Sequence, residues 1–167
     1  MSQKIVAQRF VLIRLAPEHH DAVRRIREMD EVRPWWPVPA EFPNGADDWD
    51  QWVIVIDGDV VGYAQTGEEA WPDIRHGSID LFLDPKIHGQ GIGSAVVSAL
   101  SAHLFESEGH HRIVIEPARE NPAAVAAYAK VGYRTVGVQH EAWRDETGTW
   151  RDNVLMELLS RDLITLD

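Results

Sequence analysis

The stretch that decides the fold is Ile87–Ser94, with the sequence IHGQGIGS, which joins a predicted strand to a predicted helix through a glycine-rich turn. Ser78–Leu83 before it is rich in residues that favour strands, and Ser94–Glu106 after it carries apolar residues at helical spacing. Gly91 and Gly93 lack a Cβ, so the backbone can approach a ligand closely. Because the first amides of the helix point outward with the positive end of its dipole, the turn predicts a site for a diphosphate group.

Glycine-rich turns serve several classes of nucleotide site, and two of them can be compared with this one. A phosphate-loop NTPase requires Lys-Ser/Thr after the glycines, whereas Gly93 is followed by Ser94-Ala95, so that class is excluded. A dinucleotide-binding turn sits near the start of a parallel βαβ unit, whereas this turn follows four predicted strands. Glu116, at the end of the next predicted strand, keeps the dinucleotide alternative open.

The rest of the chain shows strand and helix signals separated by turn residues. The predicted elements are strand Phe10–Leu15, a helix from Pro17 that ends before Pro34, a hairpin of strands Trp52–Ile56 and Val60–Gln65, a loop over Thr66–His76, strand Ser78–Leu83, helix Ser94–Glu106, strand Arg112–Ile115, helix Pro122–Lys130, and strands Arg134–Gln139 and Asn153–Leu159. This order predicts one α+β domain over residues 1–167. Its mixed central sheet of about seven strands is flanked by helices on both faces, in αβα layers.

Composition narrows the possible partners. The 167 residues include 16 Lys and Arg against 27 Asp and Glu, a formal net charge of −11. A surface of this sign repels nucleic-acid phosphates and favours encounter with a cationic ligand, so no nucleic-acid partner is expected. The sequence contains no cysteine, and no apolar run approaches the length of about 18 residues that a membrane-spanning helix needs. The first residues show no secretory signal pattern. We therefore expect a cytoplasmic protein without a membrane partner.

Two segments carry a family resemblance. His88–Gly93 matches the pattern Gln/Arg-x-x-Gly-x-Gly/Ala except at its first position, where histidine stands. Asn121–Tyr133 matches the pattern Asn-x₆-Tyr-x-Lys-x-Gly-Phe/Tyr. From about Phe10 to about Leu159 the chain therefore resembles the GNAT acyltransferase superfamily. The resemblance implies the GNAT fold and acetyl-CoA as co-substrate, without a metal.

The resemblance also assigns residues to the cofactor. The implied acetyl-CoA-binding residues are Phe82, Leu83, His88, Gly89, Gln90, Gly91, Ile92, Gly93, Ser94, Asn121 and Tyr128. Backbone amides of the loop would bind the diphosphate, and Asn121 would bond the pantetheine arm. As an alternative, Asn121 caps its helix and Tyr128 packs in the core.

A narrower resemblance, to aminoglycoside 6′-N-acetyltransferases, rests on four short motifs. These are Trp35-Trp36, Gly62-Tyr63-Ala64-Gln65, Ile79-Asp80 and Glu116-Pro117. It implies acetylation of an amine on a polycationic small molecule, an antibiotic-resistance activity. The predicted substrate-binding residues, which offer carboxylates for ammonium groups and aromatic faces for cation–π contacts, are Trp35, Trp36, Glu68, Glu69, Trp71, Asp73, Asp80 and Glu116. Trp49, Trp52, Trp143 and Trp150 are predicted to be structural anchors.

Acyl transfer to an amine requires a base, an oxyanion site and an acid. Asp80 is the predicted base, and its alternative role is to pair with Arg75. Tyr128 is the predicted acid, because a phenol is protonated at neutral pH. Backbone amides around Phe82–Leu83 are predicted to bond the acetyl carbonyl. Other acceptors stay open, namely a polyamine, a protein N-terminus, a ribosomal protein or a siderophore precursor, and so does a CoA-binding sensor without turnover.

Overall fold

The computed structural model describes residues 4–37, 42–43 and 48–167, and within those ranges it contains eight strands and three α-helices. The strands are β1 (Lys4–Val6), β2 (Val11–Arg14), β3 (Asp50–Ile56), β4 (Asp59–Glu69), β5 (His76–Leu83), β6 (Arg112–Ile115), β7 (Arg134–Arg144) and β8 (Trp150–Leu159). The helices are α1 (His20–Arg27), α2 (Ile92–Glu106) and α3 (Pro122–Val131). The predicted α+β class is confirmed, with eight strands where about seven were expected.

All eight described strands form one sheet in the order β1-β2-β3-β4-β5-β6-β8-β7. Neighbours are antiparallel except for β5 and β6, which are parallel. The β5–β6 ladder pairs only Gly77 with Ile113 and Ser78 with Val114. Beyond Ser78, β5 continues to Leu83 with no partner on this side among the described strands. The sheet therefore splits at the ends of β5 and β6.

Hydrophobic side chains cover both faces of the sheet. On one face, α2 buries Val96, Leu100 and Leu104 against the strands. On the other, α1 buries Val23 and Ile26. The helix α1 packs on the sheet through one apolar face, whereas most residues of α2 are buried, so α2 is a helix of the core.

The strand β5 alternates between these two faces as the sequence predicted. Ile79 is buried in the cluster formed by α2, and Leu81 packs against the same cluster. Phe82 is buried in the cluster formed by α1. Asp80 therefore lies on the α1 face, with its cross-strand neighbour Gln65 beside it.

The predicted loop over Thr66–His76 is corrected by the structure. β4 continues to Glu69, which pairs with His76 at the start of β5, and Thr66 is buried opposite Ile79. Pairing of the backbone groups outweighs the low strand propensity of two adjacent glutamates. The short strand β1 was not predicted, because three residues show no usable periodicity. No helix in the described ranges is long and apolar enough to cross a membrane.

Candidate active site

A cleft of about 1130 Å³ opens where β5 and β6 separate. Its walls come from the end of β5, the residues after β6, the start of α2, one side of α3 and the segment that follows α1. The split exposes backbone groups that a continuous sheet would pair, so the cleft combines main-chain donors with side chains from these elements and from β4, β7, β8 and the residues before β3.

The glycine-rich turn forms one end of the cleft. Gly91 is the N-cap of α2 with φ 79° and ψ 0°, a left-handed conformation that favours glycine. Ala95 donates its amide to the Gly91 carbonyl at 3.1 Å, the first hydrogen bond of the helix. The backbone amides before Ala95 in the first turn therefore have no carbonyl acceptor within the helix. Gly91, Gly93 and Ser94 all line the cleft. This array of amides at a helix N-terminus fits the diphosphate of coenzyme A.

Two side chains of the turn hold its shape. The Nε2 atom of His88 lies 3.0 Å from the carbonyl oxygen of Leu83, which ties the turn back to the end of β5. The amide of Gln90 donates to the carbonyl of Lys86 at 3.1 Å. His88, Gly89 and Ile92 line the cleft, whereas Gln90 does not. The predicted cofactor residues at the turn thus meet at one place, except for Gln90.

The helix α3 brings Asn121 and Tyr128 to the opposite wall. Asn121 caps the helix, with Oδ1 accepting the amide of Ala124 at 3.2 Å, and it also lines the cleft. Tyr128 lies two turns later, packs near Tyr133 with ring centroids 6.2 Å apart and lines the cleft. Each residue therefore has the structural contact considered as its alternative role and also faces the cleft, and the roles toward the cofactor stay predictions.

Asp80 is positioned by a chain of hydrogen bonds across three strands. The Tyr63 hydroxyl contacts Gln51 Oε1 at 2.9 Å and Gln65 Oε1 at 3.1 Å. The Gln65 amide nitrogen donates to Asp80 Oδ2 at 3.3 Å. Arg75, the alternative partner considered for Asp80, instead pairs with Glu68 at 3.0 Å. Asp80 is therefore a half-buried carboxylate without an arginine partner among the described residues.

The surroundings shift the protonation of both predicted catalytic groups. Burial raises the pKa of the Asp80 carboxyl, the hydrogen bond from Gln65 lowers it, and the charge of Glu116 raises it. Burial likewise raises the pKa of the Tyr128 hydroxyl, and the charge of Asp80 and the nearby Tyr133 add to the increase. The net result is a carboxylate of increased basicity and a phenol that stays protonated at neutral pH.

The direction of the β5 amides follows from one hydrogen bond. Asp84 donates its amide to the Val61 carbonyl on β4 at 2.8 Å. Successive amides of a strand point to opposite sides, so the Phe82 amide points toward β4, and those of Leu83 and Leu81 point toward the split. Of the two predicted oxyanion donors, Leu83 is thus the one directed toward the cleft.

The lining of the cleft also includes acids and aromatic rings. Trp35 and Trp36 line it together with Glu116, as predicted for substrate-binding residues. Trp36 packs edge-on against Phe82 with centroids 5.1 Å apart, and Trp35 is 40% exposed. Glu116 accepts a hydrogen bond from Gln139 at 2.7 Å, which fixes its carboxylate.

Four predicted substrate-binding residues lie outside the cleft. Glu68, Glu69, Trp71 and Asp73 are all absent from its lining. Glu68 pairs with Arg75 and lies 3.5 Å from Nε2 of the buried His110, and Glu69 accepts the backbone amide of Trp71. Because β4 extends to Glu69, these residues sit at the end of the β4–β5 hairpin remote from the split.

Other residues that the sequence did not assign to the site line the cleft instead. They are the acids Glu31 and Asp48, the tryptophans Trp49 and Trp143, and the amides Gln65 and Asn153. Trp49 was predicted to be an anchor, and its ring does cover Gly67, where an added Cβ would come within 2.8 Å of it. Gln65 stands in the quoted Gly-Tyr-Ala-Gln motif, which was the available signal. Glu31 lies within the helix that was expected to continue until just before Pro34, but α1 ends at Arg27, and Asp48 belongs to a segment without regular periodicity.

Trp52 and Trp150, the other two tryptophans predicted to be anchors, differ in burial. Trp52 is fully buried and donates its indole N–H to Thr66 at 3.3 Å, so it is a core residue as expected. Trp150 is 49% exposed and lies under the guanidinium of Arg144, 4.7 Å from the ring centroid. The latter contact is a surface cation–π pair rather than a core anchor.

Comparison with protein families identifies the fold. Residues 13–133 match the Acetyltransferase (GNAT) family. The chain belongs to the GNAT acetyltransferase family. Among solved structures, it superposes on Mycobacterium smegmatis RimJ in complex with CoA-disulfide with a TM-score of 0.86, at 23% identity, over 97% of this chain and 90% of that one. The GNAT fold predicted from the two motifs is thereby confirmed.

Individual GNAT relatives differ in what they acetylate. The aminoglycoside N(6′)-acetyltransferase type 1 of Klebsiella pneumoniae is 26% identical over 152 residues, covering 76% of this chain and 75% of its own length. The spermine/spermidine N(1)-acetyltransferase of Bacillus subtilis is 31% identical over 89 residues, covering 50% of this chain and 59% of its own length. The mycothiol acetyltransferase of Salinispora arenicola is 38% identical over 53 residues, or 32% of this chain, and the match spans only 17% of its length.

Proposed function

We propose that this protein is an acetyl-CoA-dependent N-acetyltransferase whose acceptor is a primary amine on a polycationic small molecule. The specific candidate is the 6′-amino group of an aminoglycoside. The observation that carries the proposal is a single cleft with the amides of the α2 turn at one end, Asp80 and Tyr128 in it, and further carboxylates lining it.

The acetyl donor would bind between α2 and α3. Amides at Gly91, Gly93 and Ser94 would bond the diphosphate, and the left-handed Gly91 lets the chain turn without a Cβ. Asn121 uses Oδ1 for its own helix, which leaves its amide nitrogen as a donor toward the pantetheine arm. Acetyl-CoA supplies the acetyl group as a thioester.

The residues of the cleft would then share the proton transfers. Asp80, held by Gln65, would orient the ammonium group and receive its proton, directly or through water. The Leu83 amide would bond the acetyl oxygen as negative charge develops there. Tyr128, whose pKa is raised by burial, would donate a proton to the departing sulfur. No residue of the protein need be acetylated in this sequence of events.

The choice of acceptor rests on charge. Four carboxylates line the cleft, at Glu31, Asp48, Asp80 and Glu116, whereas Lys130 is the one lysine or arginine among the described lining residues. An acceptor with several ammonium groups matches this set, and a peptide N-terminus with a single charge does not need it. The 26% identity to an aminoglycoside N(6′)-acetyltransferase over 76% of the chain supports the narrower assignment.

A second acceptor class is favoured by a separate observation. The similarity to a spermine/spermidine N(1)-acetyltransferase at 31% identity over half of the chain points to linear polyamines. The acidic lining of the cleft is compatible with both classes, so the two are separated by experiment.

The test is an acceptor panel with acetyl-CoA, followed by thiol release and by mass spectrometry of the product. The panel contains an aminoglycoside with a 6′-amine, its counterpart with a 6′-hydroxyl, spermidine and a peptide with a free N-terminus. We expect turnover with the 6′-amine and none with the 6′-hydroxyl. Turnover with spermidine alone would establish the polyamine alternative. Tight acetyl-CoA binding without transfer to any amine would overturn the enzyme proposal in favour of a sensor.

A further inference from the structure

Arg9 contacts the glycine-rich turn although it lies 81 residues earlier in the sequence. It lies in the short connection between β1 and β2, where Ala7 donates its amide to the Phe10 carbonyl at 3.0 Å. Its Nη1 atom donates to the Gln90 carbonyl at 2.9 Å and lies 3.8 Å from where a Cβ on Gly91 would be. The guanidinium is therefore held directly beside the N-terminal end of α2.

Most of the hydrogen-bonding capacity of this guanidinium is unused by the protein. A guanidinium has five N–H donors, and within the described ranges Arg9 makes the single bond to Gln90 and has no carboxylate within 4.0 Å. The side chain is exposed. In a protein with a net charge of −11, Arg9 is thus an exposed cation beside the start of α2 that contacts no acid among the described residues.

The side chains of Lys86 and His88, which also lie at the turn, are already engaged. Lys86 pairs with the buried Asp84 at 3.4 Å, and its backbone amide donates to the same carboxylate. His88 is turned to the carbonyl of Leu83. Arg9 is consequently the positive charge at the turn that remains available to a ligand.

We propose that Arg9 binds a phosphate group of coenzyme A and so determines affinity for the acetyl donor. Its bond to Gln90 holds the guanidinium beside the turn, and the remaining N–H groups form a fork that matches two phosphate oxygens. The phosphate belongs to either the diphosphate or the 3′-phosphate of the nucleotide. The inference rests on the proposed use of acetyl-CoA, and it concerns a residue outside both sequence motifs.

The test compares Arg9→Gln and Arg9→Lys with wild type, using Arg25→Gln on the exposed side of α1 as a charge-matched control. Three donors are used in kcat/KM measurements with the best acceptor of the panel. They are acetyl-CoA, 3′-dephospho-acetyl-CoA and acetyl-pantetheine, which carry three, two and no phosphates. Calorimetric binding of CoA to each variant accompanies the kinetics, so that affinity is read without turnover.

We expect Arg9→Gln to lower kcat/KM for acetyl-CoA about tenfold, the contribution of one charge-assisted hydrogen bond, and to weaken CoA binding equally. Activity with acetyl-pantetheine stays unchanged, Arg9→Lys recovers part of the loss, and Arg25→Gln matches wild type. If the loss persists with 3′-dephospho-acetyl-CoA, Arg9 binds the diphosphate. If it disappears with that donor, Arg9 binds the 3′-phosphate.

Two results would overturn the inference. Equal losses with acetyl-CoA and acetyl-pantetheine would show that Arg9 only shapes the turn through Gln90. Unchanged CoA affinity in Arg9→Gln would show that no phosphate is contacted. Failure of wild type itself to bind CoA would instead refute the proposed function, so the two failures are distinguishable.

Discussion

At the scale of single residues, the protonation of Asp80 is set by two neighbours with opposite effects. Gln65 donates a hydrogen bond that stabilises the carboxylate and lowers its pKa, whereas the charge of Glu116 destabilises the carboxylate and raises it. Burial raises the pKa more than either. Because Asp80 can act as a base only when it is deprotonated, the reaction rate should fall as the pH decreases below the pKa of Asp80.

The acidic limb of the pH profile of kcat/KM should therefore move in opposite directions in two variants. In Gln65→Leu the stabilising hydrogen bond is lost, the pKa of Asp80 increases, and the limb moves to higher pH. In Glu116→Gln the repelling charge is lost, the pKa decreases, and the limb moves to lower pH. The measurement is kcat/KM against pH with one acceptor, so that titration of the acceptor amine is common to all profiles.

Asp80→Asn supplies the control for this comparison. It cannot accept the proton, so it should lose about 10²–10⁴-fold in rate, the usual contribution of a general base, and show no limb from this group. Shifts of the same sign in Gln65→Leu and Glu116→Gln would contradict the role given to Asp80.

At the residue level, the sequence allowed the position in the cleft to be predicted for groups that regular elements fix, whereas their roles stay predictions. Asp80 and Tyr128 lie at alternating and helical positions whose directions follow from strand and helix geometry, and both line the cleft. Glu68 and Asp73 were assigned to the substrate site because they lie in the predicted loop Thr66–His76. Part of that loop is strand, α1 ends at Arg27 before it reaches Glu31, and no periodicity fixes Asp48. Composition alone therefore could not identify which acids line the cleft.

At the scale of elements, the connection from β5 to α2 depends on two distinct properties of its glycines. Gly91 needs a left-handed backbone, with φ 79°, and any side chain there is strained by about 1–2 kcal/mol. Gly93 instead lies close to Leu83, whose Cδ1 would be 3.4 Å from an added Cβ. The turn thus holds the first amides of α2 toward the cleft at a backbone angle that a side chain would disturb.

Gly91→Ala should raise KM for acetyl-CoA severalfold and lower stability by about 1–2 kcal/mol, because the turn must strain or rearrange. The matched control is Gly109→Ala after α2, where φ is 72°, no atom lies within 4 Å of an added Cβ, and the cleft is distant. Thermal unfolding and donor KM are measured for both. A similar rise in KM in Gly109→Ala would mean that strain in general, rather than the amides of this turn, sets donor binding.

Element boundaries were predictable where a strong stop exists. Strand β6 has the predicted bounds, Arg112–Ile115, and α3 begins at Pro122 and is followed by its cap Gly132, whose φ is 106°. The ends of β4 and β7 were missed because polar residues continue there as strand only through pairing with β5 and β8. Such pairing depends on neighbours that are distant in sequence, so a local pattern does not report it.

At the scale of the whole molecule, the net charge of −11 acts through its distribution rather than its sum. Many acids lie in surface ion pairs, such as Asp50 with Arg14 and Glu157 with Arg112. Glu31 and Asp48 line the cleft instead and have no ion-pair partner among the described residues. A polycation in the cleft would therefore be attracted by a local cluster of carboxylates, with the remaining acids adding only a screened long-range field.

The double variant Glu31→Gln with Asp48→Asn should raise KM for a polycationic acceptor about 5- to 30-fold, from about 0.5–1 kcal/mol for each partly screened pair. KM for acetyl-CoA and for a monoamine should change little. The control is Glu69→Gln with Asp73→Asn, which removes the same charge outside the cleft and should leave every KM near wild type. Initial rates at two ionic strengths complete the measurement, since added salt should weaken polycation binding more in wild type than in the cleft variant. Equal effects of the two double variants would mean that total charge, and not the lining of the cleft, selects the acceptor.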